Sequence, residues 1–158
     1  MARLSVNGLN DLLDDFTIWN NLPESVAKDM LNAGADVVVR AQRKEIAQQW
    51  SGPYSTGISA KCVKKGRVKW ALDGGYIIFV HPEGTRKRGK TKISNAEIAF
   101  LNEYGVSGPG RGRGHKKRTD PKRTLPRPAI RTANEKSLEK VLSAGAKVYG
   151  KFLDSINL

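Results

Sequence analysis

Two histidines, His81 and His115, one thiol, Cys62, and a thin scatter of carboxylates are the side chains of this 158-residue chain that could carry acid–base, nucleophilic or metal chemistry. Zinc sites need His and Cys at short repeated spacings, and none occurs. A nucleophilic cysteine needs a neighbouring base, and the sequence signals none near Cys62, which reads as a half-buried small residue. His81 ends the apolar run "YIIFVH" and reads as structural. His115 sits among Gly, Arg and Lys as one more polar loop residue. Asp11, Asp14 and Asp15 share one acidic segment and read as a solvated face. Glu97 and Glu103 are six apart, so a helix would point them in different directions. "GPGRGRGHKK" has the glycines and lysines of a phosphate loop but not the pattern G-x-x-x-x-G-K-[ST], and Thr119 is not placed to complete it. The expectation is a protein that is not an enzyme and has no metal and no cofactor.

What stands out is charge. The formal net charge is +13, which points to polyanionic partners and says nothing of fold. Residues 61–92 and residues 105–131 each carry +8, against −3 for the rest of the chain. The first block contributes Arg86, Lys87, Arg88 and Lys90 as candidate contacts to DNA or to an acidic partner. The second contributes Arg111, Arg113, Lys116, Lys117, Arg118, Lys122 and Arg123. Its "RGRG" is similar to the Arg-Gly runs of nucleic-acid-binding tails, but lacks interleaved aromatics for base stacking. A plain solvated loop is the competing reading. Glycines and like charges predict mobility for Ser107 to Arg123 in the isolated chain.

The elements that must carry these loops are legible as periodicities. Leu9, Leu12, Leu13 and Phe16 predict a short acidic helix within residues 1–20. Pro23 opens a long helix ending near Trp50, with Val26, Met30, Ala33, Val37 and Ala41 as its stripe. Arg67 to Leu72 and Tyr76 to His81 are strand candidates joined through "DGG" at Asp73 to Gly75. "HPEGTRKRGKTK" reads as a break after the second strand. Ile93 to Tyr104 is helical, with Ser94 as a cap. A last helix, Ile130 to Asp154, has the stripe Ile130, Leu138, Val141, Leu142, Gly145, Val148, Tyr149, Phe152 and Ile156. Trp19, Trp50 and Trp70 read as core or interface residues.

The predicted fold class is α+β: two long helices packed on one small antiparallel sheet, with long basic loops. A single domain covers 1–158. It comprises the short helix at 1–20, helix, hairpin and short helix over 22–104, a basic loop at 105–127 and the C-terminal helix at 128–155. No signal segment and no membrane span are read from the sequence. A lone cysteine excludes an intrachain disulfide.

Three stretches, in this order, carry a resemblance. "PYSTG" follows the long helix, with Pro53, Thr56 and Gly57 matching P-x-x-T-G. "AFLNEYG" contains Glu103, Tyr104 and Gly105. "PRPAIRTA" leads into the last helix with Arg127 and Pro128, having Ala129 where Phe is usual and Thr132 where a second Pro is usual. The chain resembles the HK97 gp10-like family of tailed-bacteriophage head–tail joining, tail-completion and minor tail proteins. The resemblance runs from about Pro23 to Leu153. Val106 departs from the usual Thr, and the basic insert is longer and more charged than the family's link.

The resemblance implies a structural virion protein that completes the tail and joins it to the head as part of an oligomeric ring. Its partners would be other connector or tail proteins and copies of itself, with non-specific contact to DNA in the lumen and no membrane. It would reside in the virion, and in the host cytoplasm during assembly. Pro126 and Pro128 stiffen the chain before the last helix, so the basic segment reads as a loop pinned at both ends. The alternative is a free, non-sequence-specific nucleic-acid-binding protein.

Overall fold

The computed structural model describes residues 22–52, 55–72, 74–105 and 125–155. The acidic segment at 1–20, Trp19, Pro53, Asp73, His115 and the seven cations from Arg111 to Arg123 lie outside the described residues.

Helix α1, Glu24–Gln49, is the spine. Pro23 precedes its first turn, where a missing N–H costs nothing, and Pro23 O accepts from Val26 N and Ala27 N. Trp50 closes it, its N–H bonding Ile46 O at 3.0 Å. A four-residue turn, α2 (Ile58–Lys61), leads to β1 (Val63–Lys65). Then come β2 (Lys69–Trp70), β3 (Tyr76–Ile77), β4 (Val80–Pro82), β5 (Thr85–Arg88), β6 (Thr91–Ser94), α3 (Asn95–Tyr104) and α4 (Ala129–Ser155). Ser94 caps α3 by accepting from Ala96 N at 3.2 Å.

The predicted architecture of two long helices on one sheet is corrected. Among the described residues there are four helices and three separate two-stranded antiparallel ladders, β1–β4, β2–β3 and β5–β6. The strand expected over Tyr76 to His81 changes partner midway. Tyr76 and Ile77 pair with Trp70 and Lys69, whereas Val80 to Pro82 pair with Lys65 to Val63. The stretch expected to be a break contains the longest ladder, Thr85↔Ser94 to Arg88↔Thr91. It turns at Gly89, whose φ of 62° suits the tight primed turns of hairpins. The β4 strand does not run on into β5 for local reasons. Pro82 has no N–H to extend a sheet, and Gly84, at φ 83°, swings the chain out of line. Buried Asn95 then answers the exposed backbone there: its N–H bonds Gly84 O and its Nδ2 bonds Glu83 O at 2.6 Å.

The core lies where the second half of α1 meets β1, β4, α3 and the start of α4. Val38, Ile46, Trp50, Val63, Ile78, Val80, Ala99 and Ala129 are among its members. The face that α4 buries overlaps the predicted stripe only at Val141 and Gly145. Ala129, Ala133, Ser137, Val141 and Gly145 are buried, while Leu142, Val148, Tyr149 and Phe152 are only half-buried and Leu138 is exposed. Opposite them α1 buries Met30, Gly34, Val38, Gln42 and Ile46. Both rows repeat every four residues, the ridge along which helices interlock, and small residues bring the backbones close. A Cβ on Gly34 would sit 3.0 Å from Val141 Cγ1.

Candidate assembly and polyanion surfaces

The residues of two resemblance motifs meet at the start of α4. Proline at position 128 has no side-chain oxygen to cap the first helical turn, and that turn leaves backbone donors unanswered. Glu103, at the end of α3 and 6% exposed, supplies the missing acceptor. Its Oε2 accepts from Ile130 N at 3.0 Å and its Oε1 from Arg131 N at 2.8 Å. A carboxylate at a helix N-terminus is also favoured by the helix dipole. Arg127 completes the clasp through its backbone. Its N–H bonds Asn102 O at 2.8 Å, and its carbonyl accepts from Trp50 Nε1 at 2.9 Å. Gly105 and Leu125 therefore emerge from one buttressed corner. The glycines have local reasons: Gly57 takes φ 67° at the start of α2, and Gly105 takes φ 74° after α3. Thr56 and Tyr104 are exposed, as is the side chain of Arg127.

The cations of the first block do not act alike. Arg86 faces inward, its Nε donating to Asn95 Oδ1 at 2.5 Å and its Nη2 to Ser59 Oγ at 2.7 Å. It ties the β5–β6 hairpin to α2 and α3, so two of its five N–H donors serve the fold. Lys87 and Lys90 are exposed. Lys87 pairs directly across the ladder with exposed Lys92, and facing like charges are unfavourable until an anion sits between them. Arg88 is in the β5 backbone.

Of the residues considered for chemistry, Cys62 is half-buried and its Sγ accepts from Asn95 Nδ2 at 3.1 Å. His81 lies in β4 with its Nε2 4.0 Å from Glu83. Among the described residues no group of three or more His, Cys, Asp or Glu could hold a metal ion. No described helix is long and apolar enough to cross a membrane.

Sequence reasoning missed a groove of about 410 Å³ between α1 and α4. Val37, Ala41 and Ala133 form its floor, and Arg40, Lys44, Lys136 and Lys140 its walls. Each helix supplies two cations four residues apart, a spacing that puts them on one face. That spacing was the available signal, but it points to a groove only once the helices are paired. Glu45 lies in the wall and accepts from Lys136 Nζ at 2.8 Å and Gln49 Nε2 at 3.0 Å. The hydrogen bond from Lys136, then that from Gln49, holds its carboxyl below the usual carboxylate range. Arg40, Lys44 and Lys140 make no ion pair among the described residues.

Apart from Ile58 and Leu138, the exposed large apolar side chains among the described residues fall in two places. Phe100, Leu101, Tyr104 and Leu125 surround the corner at the clasp, with the Phe100 and Tyr104 rings 4.8 Å apart. At the β2–β3 hairpin, Trp70 is 64% exposed and Leu72 is fully so. That hairpin is moored to α1 by Tyr76, whose ring packs edge-on against Trp70 at 4.7 Å and lies 5.9 Å from Lys28 Nζ. Lys28 also pairs with Glu24. Burial, then the Glu24 carboxylate, pushes the Tyr76 hydroxyl above its usual range. No family model, curated protein or solved structure matches this chain.

Proposed function

We propose that this protein is a structural component of a tailed-bacteriophage particle, a subunit of an oligomeric ring at the head–tail junction or tail end, performing no turnover chemistry. The observation that carries the reading is the clasp. Glu103 and Arg127–Arg131 come from two of the three sequence stretches that resemble the joining and tail-completion proteins. They are bonded to each other across 27 and 28 residues of chain. The exposed apolar corner beside it suits a subunit that buries surface on assembly. In this reading the partners are connector or tail proteins and further copies of the chain. The setting is the virion and, before it, the host cytoplasm.

A second reading, non-specific binding of nucleic acid by a free protein, is favoured by one observation: the facing Lys87 and Lys92. Particle imaging separates the two. A null mutant of the phage is expected to yield filled heads and unattached tails, or tails with a defective end. Infectious yield unchanged by the null ends the virion reading. Portal, capsid and tail-tube genes flanking this one would support it.

A further inference from the structure

We propose that one face of the strand pair 63–70 and 76–82, centred on Phe79, binds single-stranded nucleic acid. Ile78 and Val80 of the second strand are core residues. Side chains alternate along a strand, so Ile77, Phe79 and His81 share the opposite face, and all three are only half-buried. Directly across from them stand Lys69, opposite Ile77, and Lys64, opposite His81. Phe79 thus lies between two lysines, each one diagonal step away. Its own cross-strand neighbour is Gly66, whose N–H bonds Phe79 O at 2.8 Å and which has no side chain to cover the ring.

One extra residue builds this face. Lys65 pairs with Val80 and Lys69 with Ile77, four residues along one strand against three along the other. The surplus is a β-bulge over 66–68, and a bulge re-aims the side chains that follow it. Lys65, before the bulge, reaches Asp36 on α1 at 2.7 Å. By simple alternation Lys69 would lie on that same side, and the bulge turns it to the face of Phe79. Arg67, inside the bulge, is exposed. Neither Arg67 nor Lys69 makes an ion pair among the described residues. Glu83 answers the far end of the face, 3.5 Å from Lys64 Nζ and 4.0 Å from His81 Nε2. Contacts to an anion therefore fall to Arg67 and Lys69.

The ring selects the ligand. An aromatic side chain among unpaired cations stacks an unpaired base while the cations take the neighbouring phosphates. In a duplex the bases are stacked on one another and closed to such a ring. Duplex phosphates would meet Lys87, Lys90 and Lys92 of the β5–β6 hairpin instead. An acidic peptide would use the cations and leave the ring idle. Interleaved aromatic and basic side chains are what "RGRG" lacks, and here they come together only through the bulge. This binding goes beyond the virion assignment and does not depend on it, because it belongs to the purified chain alone.

The test is fluorescence anisotropy of a labelled 15-base oligothymidylate, and of a 15-base-pair duplex, titrated with the full-length chain over a range of salt. The variants are Phe79→Leu, Phe79→Trp and Arg67→Ala/Lys69→Ala, each checked for an unchanged circular-dichroism melt. Phe79→Leu is expected to weaken single-strand binding at least about fivefold, the loss of one stacked base, and Phe79→Trp to keep it. Arg67→Ala/Lys69→Ala should lower the slope of log affinity against log salt by about 1.4 for the single strand. That variant carries the test if Phe79→Leu does not fold. Duplex affinity should be unchanged in every variant. An unaltered chain that does not bind the oligothymidylate overturns the proposal. So does a single-strand affinity indifferent to Phe79→Leu, or an unchanged slope in the double variant. Equal losses for single strand and duplex would make the face a general polyanion contact and overturn it as well. Poly-glutamate of matched charge that displaces the probe as well as unlabelled oligothymidylate would reassign the face to an acidic protein.

Discussion

Glu103 does from 27 residues away what a serine or aspartate at position 128 would do locally. Its removal leaves two first-turn N–H groups beside a buried methyl. Glu103→Ala is expected to cost about 1–3 kcal/mol, the penalty of stranding buried polar groups, read by urea denaturation with an unchanged slope. Glu103→Gln retains an acceptor and should cost less. Glu45 makes a separate, pH-dependent prediction. Its folded-state pKa is depressed, first by the Lys136 hydrogen bond and then by Gln49. The stabilisation is therefore complete above the ordinary value of 4.5 and lost as pH falls through the lower folded value. Melting curves of the unaltered chain and Glu45→Gln should differ at pH 7 and converge in acid. A constant gap down to pH 2 would contradict the assignment. Of these two carboxylates, Glu103 was legible beforehand through its motif. Its partner was not, because nothing local in "PRPAIR" announces an acceptor from another helix.

At the scale of elements, the helices were far more legible than the strands. The limits read for the long, capped and C-terminal helices fall within one or two residues of α1, α3 and α4. Apolar alternation did propose strands at 67–72 and 76–81, but it carries no information about where a ladder must stop. Pro82, Gly84 and the Asn95 side chain stop β4 and set the β5–β6 ladder apart from it. The buried face of α4 was misread for another reason. Scanning for large apolar residues selects Leu138 and Leu142, whereas close helix packing selects Ala133 and Ser137 beside the Val141 and Gly145 that the stripe already held. Gly145→Ala tests this: its Cβ would lie 3.8 Å from Met30 Cε, an ordinary contact. The helix gains about 0.5–1 kcal/mol from replacing glycine, so the melting temperature should rise. Gly34→Ala, crowded by Val141 at 3.0 Å, should give less or reverse the sign.

At the scale of the molecule, positive charge is carried on a body that spends little of it internally. Arg86 and Arg43, whose guanidinium bonds Val63 O at 2.8 Å, are tied to the body, and Lys28, Lys64, Lys65 and Lys136 pair with carboxylates. If nucleic acid is a partner, Lys87, Lys90 and Lys92 are its first contacts among the described residues. Replacing all three by alanine should lower the slope of log affinity against log salt by up to about 2.7 for duplex DNA. An unchanged slope would assign binding elsewhere. The exposed cations were visible from composition. The groove was not, since its walls come from positions 40–44 and 136–140 and meet only through the tertiary pairing of α1 with α4.

The Glu103 corner also makes the protein severable. Asn102 and Glu103 on one side of the basic segment are bonded to Arg127, Ile130 and Arg131 on the other, and α1 packs along α4 behind them. The two sides of the covalent link between Gly105 and Leu125 are thus expected to stay associated after it is cut, which size-exclusion chromatography of the nicked chain checks. A protease cut within that stretch leaves two pieces with a ready-made interface, and a foreign domain spliced there meets ends already fixed in place. The size of this insert can change while the body stays as it is.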